Sequence, residues 1–164
     1  MLASLVSDET QSMETFDLRV KDVMTPSPLS LGANATIEEA ARGMERCNCG
    51  CCLVESKGKV VGILTERDIV RRVAGKGSSL KTAKVSAIMS SPIVAVSPET
   101  TVEEALKTMA NNEIKRLAVV DEEGLVGVVS ITDIAKALAK KSGQADLLIH
   151  TIAKQSRAPE GVYL

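Results

Sequence analysis

The sequence predicts a mixed α/β (α+β) fold in which two β-α-β-β-α repeats pack as one pseudo-twofold module. The 164-residue chain matches itself without a gap when it is shifted by 65 residues. Each half combines short apolar runs with amphipathic helical patterns. One such unit has three short strands and buries too little apolar surface to be stable alone. We therefore expect two units that stack their sheets and share a core.

The matches of the repeat fall at corresponding places in both halves. The identical pairs include Val20/Val85, Met24/Met89, Thr36/Thr101, Glu39/Glu104, Met44/Met109, Gly62/Gly127 and Asp68/Asp133. These matches divide the chain into four segments. We expect an N-terminal arm at 1–19, a first repeat with its linker at 20–79, a second repeat at 80–141 and a C-terminal tail at 142–164.

Each repeat opens with a short strand followed by a helix. Residues 28–31 and 93–96 are short apolar runs bounded by turn residues, which is typical of strands. Thr36 and Thr101 are each followed three residues later by a glutamate, which predicts a capping box and the beginning of a helix. Apolar residues at helical spacing then give each helix one buried face.

A hairpin and a second helix complete each repeat. The turns are predicted at Lys57-Gly58 and Glu123-Gly124. The apolar runs around them predict strands, and the segments that follow predict helices. The strands are expected at 51–54, 60–64, 117–120 and 125–129, and the helices at 66–74 and 132–141.

The composition excludes several function classes. The formal net charge is −1, from 20 Lys+Arg against 21 Asp+Glu, which argues against nucleic-acid binding. Charges interrupt every apolar stretch, so no membrane span is expected. The N-terminus has no basic region before a long apolar block, so we expect no secretory signal and a cytoplasmic location. His150 is the one histidine, which excludes a His pair for acid-base chemistry and a multi-His metal site.

The last strand of each repeat ends in a hydroxyl residue that is followed, three residues later, by an aspartate. These pairs are Thr65 with Asp68 and Ser130 with Asp133. A structural interpretation is that each pair is a helix cap. A functional interpretation is that the helix start and the hydroxyl contact a phosphate, while the aspartate accepts both hydroxyls of a ribose.

Residues 20–141 resemble a tandem pair of CBS domains, also called a Bateman module. The resemblance rests on Val-x-x-x-Met at Val20 and Val85, on the Thr-x-x-Glu-Ala helix openings, and on Gly-x-x-Thr/Ser-x-x-Asp at Gly62 and Gly127. It implies a regulatory module that binds AMP, ADP, ATP or an S-adenosylmethionine-type ligand between the repeats. It also implies a homodimer. No nucleophile-base pair or metal cage is apparent, so we expect no enzyme, no catalytic cofactor and a signal to a separate protein effector.

The resemblance implies two unequal clefts. In the first, Ser130, Thr132 and Asp133 are joined by Lys115 and Arg116, which suits an anionic nucleotide. The adenine there is expected near residues of the first repeat, namely Thr25, Pro28 and Leu29. The second cleft is expected to be weaker, empty or suited to a neutral or cationic nucleoside. It is built on Thr65, Arg67 and Asp68, with Ile93 and Val94 from the other repeat.

A cysteine cluster interrupts the repeat. Cys47, Cys49, Cys51 and Cys52 have no counterparts in the second half, and their spacing differs from that of the usual zinc sites. The structural interpretation makes Cys52, and with it Cys49, small buried apolar residues. The alternative functions are a thiol or metal sensor at this cluster, or a dimeric scaffold with vestigial clefts. A disulfide between neighbouring cysteines is not expected, so a cross-chain bond is the favoured redox alternative.

Overall fold

The computed structural model describes residues 18–141, so most of the N-terminal arm and all of the C-terminal tail lie outside the described residues. The first half contains two helices and four strands: α1 (Val20–Val23), β1 (Thr25–Pro26), β2 (Ser30–Gly32), α2 (Ile37–Cys47), β3 (Cys51–Ser56) and β4 (Lys59–Thr65). Between the halves lies α3 (Glu66–Asp68), which continues as a π-helical turn (Ile69–Val73) and a 3-10 turn (Ala74–Lys76). The second half contains α4 (Val85–Ile88), β5 (Ala95–Val96), α5 (Val102–Asn111), β6 (Arg116–Asp121), β7 (Gly124–Ser130) and α6 (Ile131–Lys141).

Two sheets with the same core topology account for the repeat. In one sheet, β2 is parallel to β3, and β3 is antiparallel to β4. In the other, β5 is parallel to β6, β6 is antiparallel to β7, and β1 adds to β7 as an antiparallel edge strand. Helices α2 and α5 make the crossovers that the two parallel pairs require. The expected mixed α/β fold is therefore confirmed.

The predicted capping boxes open both crossover helices. The Thr36 hydroxyl accepts a hydrogen bond from the Glu39 amide at 3.2 Å, and the Glu39 carboxylate accepts one from the Thr36 amide at 2.7 Å. The same pair of bonds joins Thr101 and Glu104 at 3.2 and 3.0 Å. Each arrangement satisfies helix-terminal amides that have no partner within the helix.

The two repeats exchange their first short helices. Helix α1 packs into the core of the second repeat, where Val20 is buried with Leu117 and Val129. Helix α4 packs into the core of the first repeat, where Val85 is buried beside Leu64. The amides of Val20 and Val85 make equivalent hydrogen bonds, to Thr100 O and to Ala35 O, both at 2.9 Å. Each repeat therefore completes the core of the other.

A third apolar cluster lies between the two sheets. It contains Cys51 and Leu53 of β3 together with Ala118 of β6 and Val128 of β7. Because these side chains are buried against one another, the two repeats share a core, as the sequence predicts. Among residues 18–141, no helix combines the length and apolarity needed to cross a membrane.

The end of the first repeat departs from the prediction of a regular helix at 66–74. Only Glu66–Asp68 is α-helical, and the backbone then widens into the π turn. Gly75 and Gly77 follow, and Gly77 has a left-handed backbone with φ +67°. Two glycines so close together weaken a regular helix. The equivalent helix α6 remains α-helical through Lys141.

Candidate functional site

The hydroxyl-aspartate motifs form helix caps in both repeats. Asp68 Oδ2 accepts hydrogen bonds from the amide and the hydroxyl of Thr65, at 2.9 and 2.7 Å. Asp133 Oδ2 accepts the equivalent bonds from Ser130, at 2.9 and 2.6 Å. The cap uses one oxygen of each carboxylate. The structural interpretation is therefore confirmed, and Oδ1 of each aspartate is left for other contacts.

The two aspartates differ in their second oxygen. Asp68 Oδ1 lies 3.4 Å from Nε of Arg72 in the π turn, and the Asp68 side chain is only 14% exposed. Arg72 also donates to the carbonyl oxygens of Ile88 and Met89, at 2.7 and 3.2 Å. This arginine therefore connects the motif of the first repeat to the end of α4. The corresponding residue of the second repeat is Ala137, which carries no charge.

The glycines of the motifs allow the exchanged segments to approach the sheets. A Cβ built on Gly62 would lie 2.5 Å from Met89 Sδ and 2.9 Å from the carbonyl oxygen of Ser90. A Cβ on Gly127 would lie 2.5 Å from Met24 Sδ and 3.2 Å from the carbonyl oxygen of Thr25. The Gly-x-x-Thr/Ser-x-x-Asp motif of each repeat thus receives the Val-x-x-x-Met motif of the other. A glycine inside a strand often marks such a close approach.

A cavity of about 280 Å³ lies between the two repeats. The first repeat contributes the end of β4 and the start of the following helical segment. The second repeat contributes the segment before β5 and the segment that enters β6. The lining residues are Ile63, Thr65, Arg67, Asp68, Ser90, Pro92, Ile93, Val94, Glu113, Ile114, Lys115 and Arg116. All five residues that the sequence assigned to the weaker cleft are among them.

Two cations that the sequence placed in the Ser130 cleft, Lys115 and Arg116, line the Thr65 cavity instead. Lys115 and Arg116 line the cavity with Thr65 and Asp68, so this cleft does not lack basic residues. Arg116 is the ladder partner of Ser130 in β6 and β7, so its backbone lies beside the other motif. Its side chain, however, reaches towards the first repeat, because a Cβ built on Gly50 would lie 3.5 Å from Nη2 of Arg116. Sequence spacing could not give this direction.

Leu29 and Val94, which the sequence places near the ligand in the two clefts, occupy equivalent positions in the two repeats. The carbonyl of Leu29 accepts a hydrogen bond from the amide of Leu53 at 2.8 Å, and the carbonyl of Val94 accepts one from Ala118 at 3.2 Å. The side chain of Leu29 packs against the core of the first repeat, and that of Val94 against the core of the second. Thr25 is exposed in β1, Pro28 is half-buried, and Thr132 is exposed in the first turn of α6.

Five lining residues of the cavity were not predicted from the sequence, namely Ile63, Ser90, Pro92, Glu113 and Ile114. Arg72, which pairs with Asp68 without lining the cavity, was not predicted either. Arg72 follows Asp68 by four residues, and that spacing places two side chains on one helix face. The spacing could have indicated the ion pair. Nothing local in the sequence indicated Ser90 or Glu113, because the fold brings them from the other repeat.

The cysteines occupy three different environments. A disulfide joins Cys47 and Cys49, whose Cα atoms are 5.3 Å apart, so the expectation against a local bond is wrong. The reason is Asn48 between them, which ends α2 in the left-handed conformation with φ +49°. Cys51 and Cys52 are buried thiols, as the structural interpretation requires for Cys52, but Cys49 is partly exposed and disulfide-bonded, so that interpretation is wrong for Cys49. Within residues 18–141, no three His, Cys, Asp or Glu side chains are placed to hold a metal ion.

Known proteins resemble this chain in sequence and in fold. The model of the CBS domain matches residues 20–75 and 85–140. The CBS domain-containing protein YhcV of Bacillus subtilis is 40% identical over 116 residues, which are 71% of this chain and 82% of that protein. The CBS domain pair of protein MJ0100, in complex with 5′-methylthioadenosine and S-adenosyl-L-methionine, has a TM-score of 0.67 and 26% identity. That match covers 76% of this chain and 98% of that chain.

A further solved structure is Hypoxic Response Protein I with two coordinated zinc ions. It has a TM-score of 0.64 and 28% identity, and the match covers 72% of this chain and 97% of that chain. The family model matches both halves of the chain at equivalent positions, and the exchanged helices join those halves into one module. The chain therefore belongs to the CBS domain family and carries a tandem pair of CBS domains.

Proposed function

We propose that this CBS pair is a regulatory module that binds AMP, ADP or ATP in the cavity between its repeats and signals to a separate protein. One observation carries the proposal. A hydroxyl-aspartate pair from one repeat, Thr65 and Asp68, lines the same cavity as two cations from the other, Lys115 and Arg116. A nucleotide with phosphates has the matching combination of ribose hydroxyls and negative charge.

Each group has a distinct role in this proposal. Asp68 Oδ1 accepts hydrogen bonds from the ribose hydroxyls, while Oδ2 continues to cap the helix. Arg67, Lys115 and Arg116 neutralise the phosphates and outnumber the two acidic groups of the lining, Asp68 and Glu113. The aliphatic side chains of Ile93 and Val94 contact the adenine, and neighbouring backbone groups read its edge.

The Ser130 cleft is proposed as a second ligand site of different chemistry. The guanidinium of Arg116 extends towards Gly50 of the first repeat and lines the Thr65 cavity, so the Ser130 cleft has less positive charge. We propose that Ser130, Thr132 and Asp133, with Thr25, Pro28 and Leu29, take an adenosyl ligand that carries fewer phosphates. The complex of the MJ0100 pair with 5′-methylthioadenosine and S-adenosyl-L-methionine supports adenosyl ligands for such a pair.

Signalling follows from the position of the cavity between the repeats. A ligand that contacts both repeats favours the arrangement in which its two sets of contacts coexist. An effector protein that distinguishes this arrangement then responds to nucleotide concentration. The module itself performs no chemistry in this proposal, and the homodimer expected from the sequence would present two such cavities.

The decisive test compares two matched substitutions by isothermal titration calorimetry with AMP, ADP, ATP, S-adenosylmethionine and GTP. Asp68→Asn and Asp133→Asn each keep an oxygen for the helix cap but replace the second acceptor by an NH₂ donor. We expect Asp68→Asn to weaken ATP binding about tenfold or more, in line with the loss of a hydrogen bond to a charged group. Asp133→Asn should leave ATP binding within about twofold, since it alters the other cleft.

Thermal unfolding gives an independent measurement. A nucleotide at a hundred times its dissociation constant adds about 2.7 kcal/mol to the free energy of unfolding. Equal losses in the two variants would reject the assignment of the nucleotide to the Thr65 cavity. No stabilisation of the wild-type protein by any adenine ligand would reject the nucleotide-binding function as a whole.

A further inference from the structure

The end of helix α2 brings two sulfur atoms together just before Gly50, which lies close to Arg116 of the cavity lining. Asn48 has a left-handed backbone, which reverses the chain and places Cys47 and Cys49 within disulfide distance. We propose that these two residues form a reversible dithiol-disulfide pair that adjusts nucleotide affinity in the Thr65 cavity. The effect on affinity rests on the function proposed above, whereas formation of the disulfide does not.

Accessibility restricts thiol chemistry to this pair. Cys47 is exposed and Cys49 is partly exposed, whereas Cys51 and Cys52 are 8% and 0% exposed. Burial also raises the pKa of both inner thiols, that of Cys52 to about 12, so they form little of the reactive thiolate. The chain contains four cysteines, so oxidation of the pair leaves these two inner thiols reduced.

Gly50 connects the pair to the nucleotide cavity. Its carbonyl accepts a hydrogen bond from the amide of Glu66 at 3.3 Å, and Glu66 is the first residue of the segment that carries Arg67 and Asp68. A Cβ at Gly50 would lie 3.3 Å from Glu66 Oε2 and 3.5 Å from Arg116 Nη2. Gly50, which follows the disulfide, therefore lies close to Glu66 of its own repeat and to Arg116 of the other, and Arg116 lines the cavity.

The chemistry is an exchange with a low-molecular-weight disulfide such as oxidised glutathione. The Cys49 thiolate attacks one sulfur of the glutathione disulfide, whose S–S bond breaks and releases one glutathione thiolate. Cys47, as a thiolate, then attacks the sulfur of Cys49 in the mixed disulfide. This step forms the Cys47–Cys49 bond and releases the second glutathione. The protein dithiol is oxidised, and one glutathione disulfide is reduced to two thiols.

Oxidation should strengthen binding. Asn48 is a non-glycine residue in a left-handed conformation, which a free backbone seldom adopts. The cross-link holds this conformation and with it the position of Gly50. Reduction releases the loop, so nucleotide binding must then order it again. We expect ATP to bind about fivefold more tightly to the oxidised protein, at the lower end of typical coupling between two sites.

The test uses the full chain equilibrated in mixtures of reduced and oxidised glutathione. Alkylation under denaturing conditions, followed by mass spectrometry, counts the thiols, and calorimetry in the same mixtures measures the ATP affinity. We expect two alkylated cysteines in the oxidised protein, a peptide that links Cys47 to Cys49, and the fivefold change in affinity. Because coupling is reciprocal, saturating ATP should shift the thiol-disulfide equilibrium by the same factor.

Two variants make the outcome specific. Cys47→Ser/Cys49→Ser should bind ATP like the reduced protein in every mixture. Cys51→Ala should retain both the bond and the change in affinity. A disulfide between chains, or four alkylated cysteines in the most oxidising mixture, would overturn the proposed pair. The same ATP affinity in both states would overturn the coupling alone, and a disulfide without any nucleotide binding would overturn the proposed function and the coupling together.

Discussion

The two repeats use one sequence pattern to build the same scaffold, yet they differ where they face each other. Both have a capped crossover helix, a hairpin and a hydroxyl-aspartate cap. The first repeat ends in a π turn that carries Arg72, whereas the second continues as a regular helix with Ala137 at the equivalent position. Where β3 and β6 begin, Gly50 and Cys51 of the first repeat correspond to Lys115 and Arg116 of the second. The shared pattern therefore gives both repeats the same fold, while the differences at the contact place unlike side chains beside the two hydroxyl-aspartate motifs.

The largest expected difference in stability between the repeats comes from adding a methyl group to the equivalent glycines Gly62 and Gly127. Gly62→Ala and Gly127→Ala should each destabilise the protein by about 1–3 kcal/mol, the usual effect of overpacking a close contact. Gly62→Ala should be the more harmful change. Its Cβ would meet the backbone oxygen of Ser90 at 2.9 Å, whereas the backbone oxygen near Gly127 lies at 3.2 Å. A flexible methionine side chain can move aside more easily than a backbone carbonyl.

Urea unfolding of both variants measures this difference. Intact secondary structure in circular dichroism should accompany each transition, so that the free energies of unfolding refer to the same fold. Equal free energies, or losses below about 0.5 kcal/mol, would mean that the methionines and the exchanged segments yield without strain.

These glycines also illustrate what the sequence could and could not predict. The 65-residue shift, the strands and the Thr36 and Thr101 caps depend on local pattern, and the structure confirms them. A glycine within an apolar strand often marks a close backbone approach, but nothing in the local pattern identifies the segment that approaches. That Met89 packs on Gly62, and Met24 on Gly127, depends on the exchange of helices between repeats. The sequence pattern would be the same if α1 and α4 each packed on its own repeat.

The cavity was harder to predict for the same reason. Thr65, Asp68, Ile93 and Val94 could be grouped from the repeat and the family resemblance. Lys115 and Arg116 could be recognised as a cation pair, but the cleft that receives their side chains depends on the three-dimensional contact. The Cys47–Cys49 bond depended on the backbone of Asn48. Asparagine at a helix end is a recognised left-handed cap, so this signal was present in the sequence.

The next difference to test is the arginine of the π turn. Arg72→Met removes the hydrogen bonds to Ile88 O and Met89 O and the ion pair with Asp68 but keeps an unbranched apolar stem. We expect a loss of about 0.5–1.5 kcal/mol in the free energy of unfolding, because Arg72 is 44% exposed and solvent screens part of its interactions. Thermal unfolding of the variant provides the measurement.

Arg71→Met is the matched control for this variant. Arg71 is an exposed neighbour in the same turn, and its side chain makes no hydrogen bond or ion pair with any residue in the 18–141 range. It should therefore unfold within about 0.5 kcal/mol of the wild type. If Arg71→Met were as destabilising as Arg72→Met, the contribution would come from net charge or helix propensity and not from the contacts with α4.

The smallest expected effects concern the two capping boxes, where the repeats are most alike. Hydrogen bonds from the backbone and the hydroxyl of Thr36 hold the pKa of Glu39 below its ordinary value of 4.5, and Thr101 does the same to the pKa of Glu104. The folded state therefore binds these protons less readily than the unfolded state. Their contribution to stability is complete above the ordinary pKa and is lost as the pH falls through the lowered value.

Glu39→Gln and Glu104→Gln should therefore each flatten the decline in stability below about pH 4.5, the ordinary glutamate pKa. Each should lower stability slightly at pH 7, where the carboxylate is the better acceptor. Melting temperatures of the wild type and both variants between pH 3 and pH 7 would show this. Because the two boxes have nearly the same geometry, the two variants should follow the same curve. Curves that diverge would mean that the surrounding charges, Lys84 for Glu39 and Arg19 with Lys107 for Glu104, matter more than the shared hydrogen bonds.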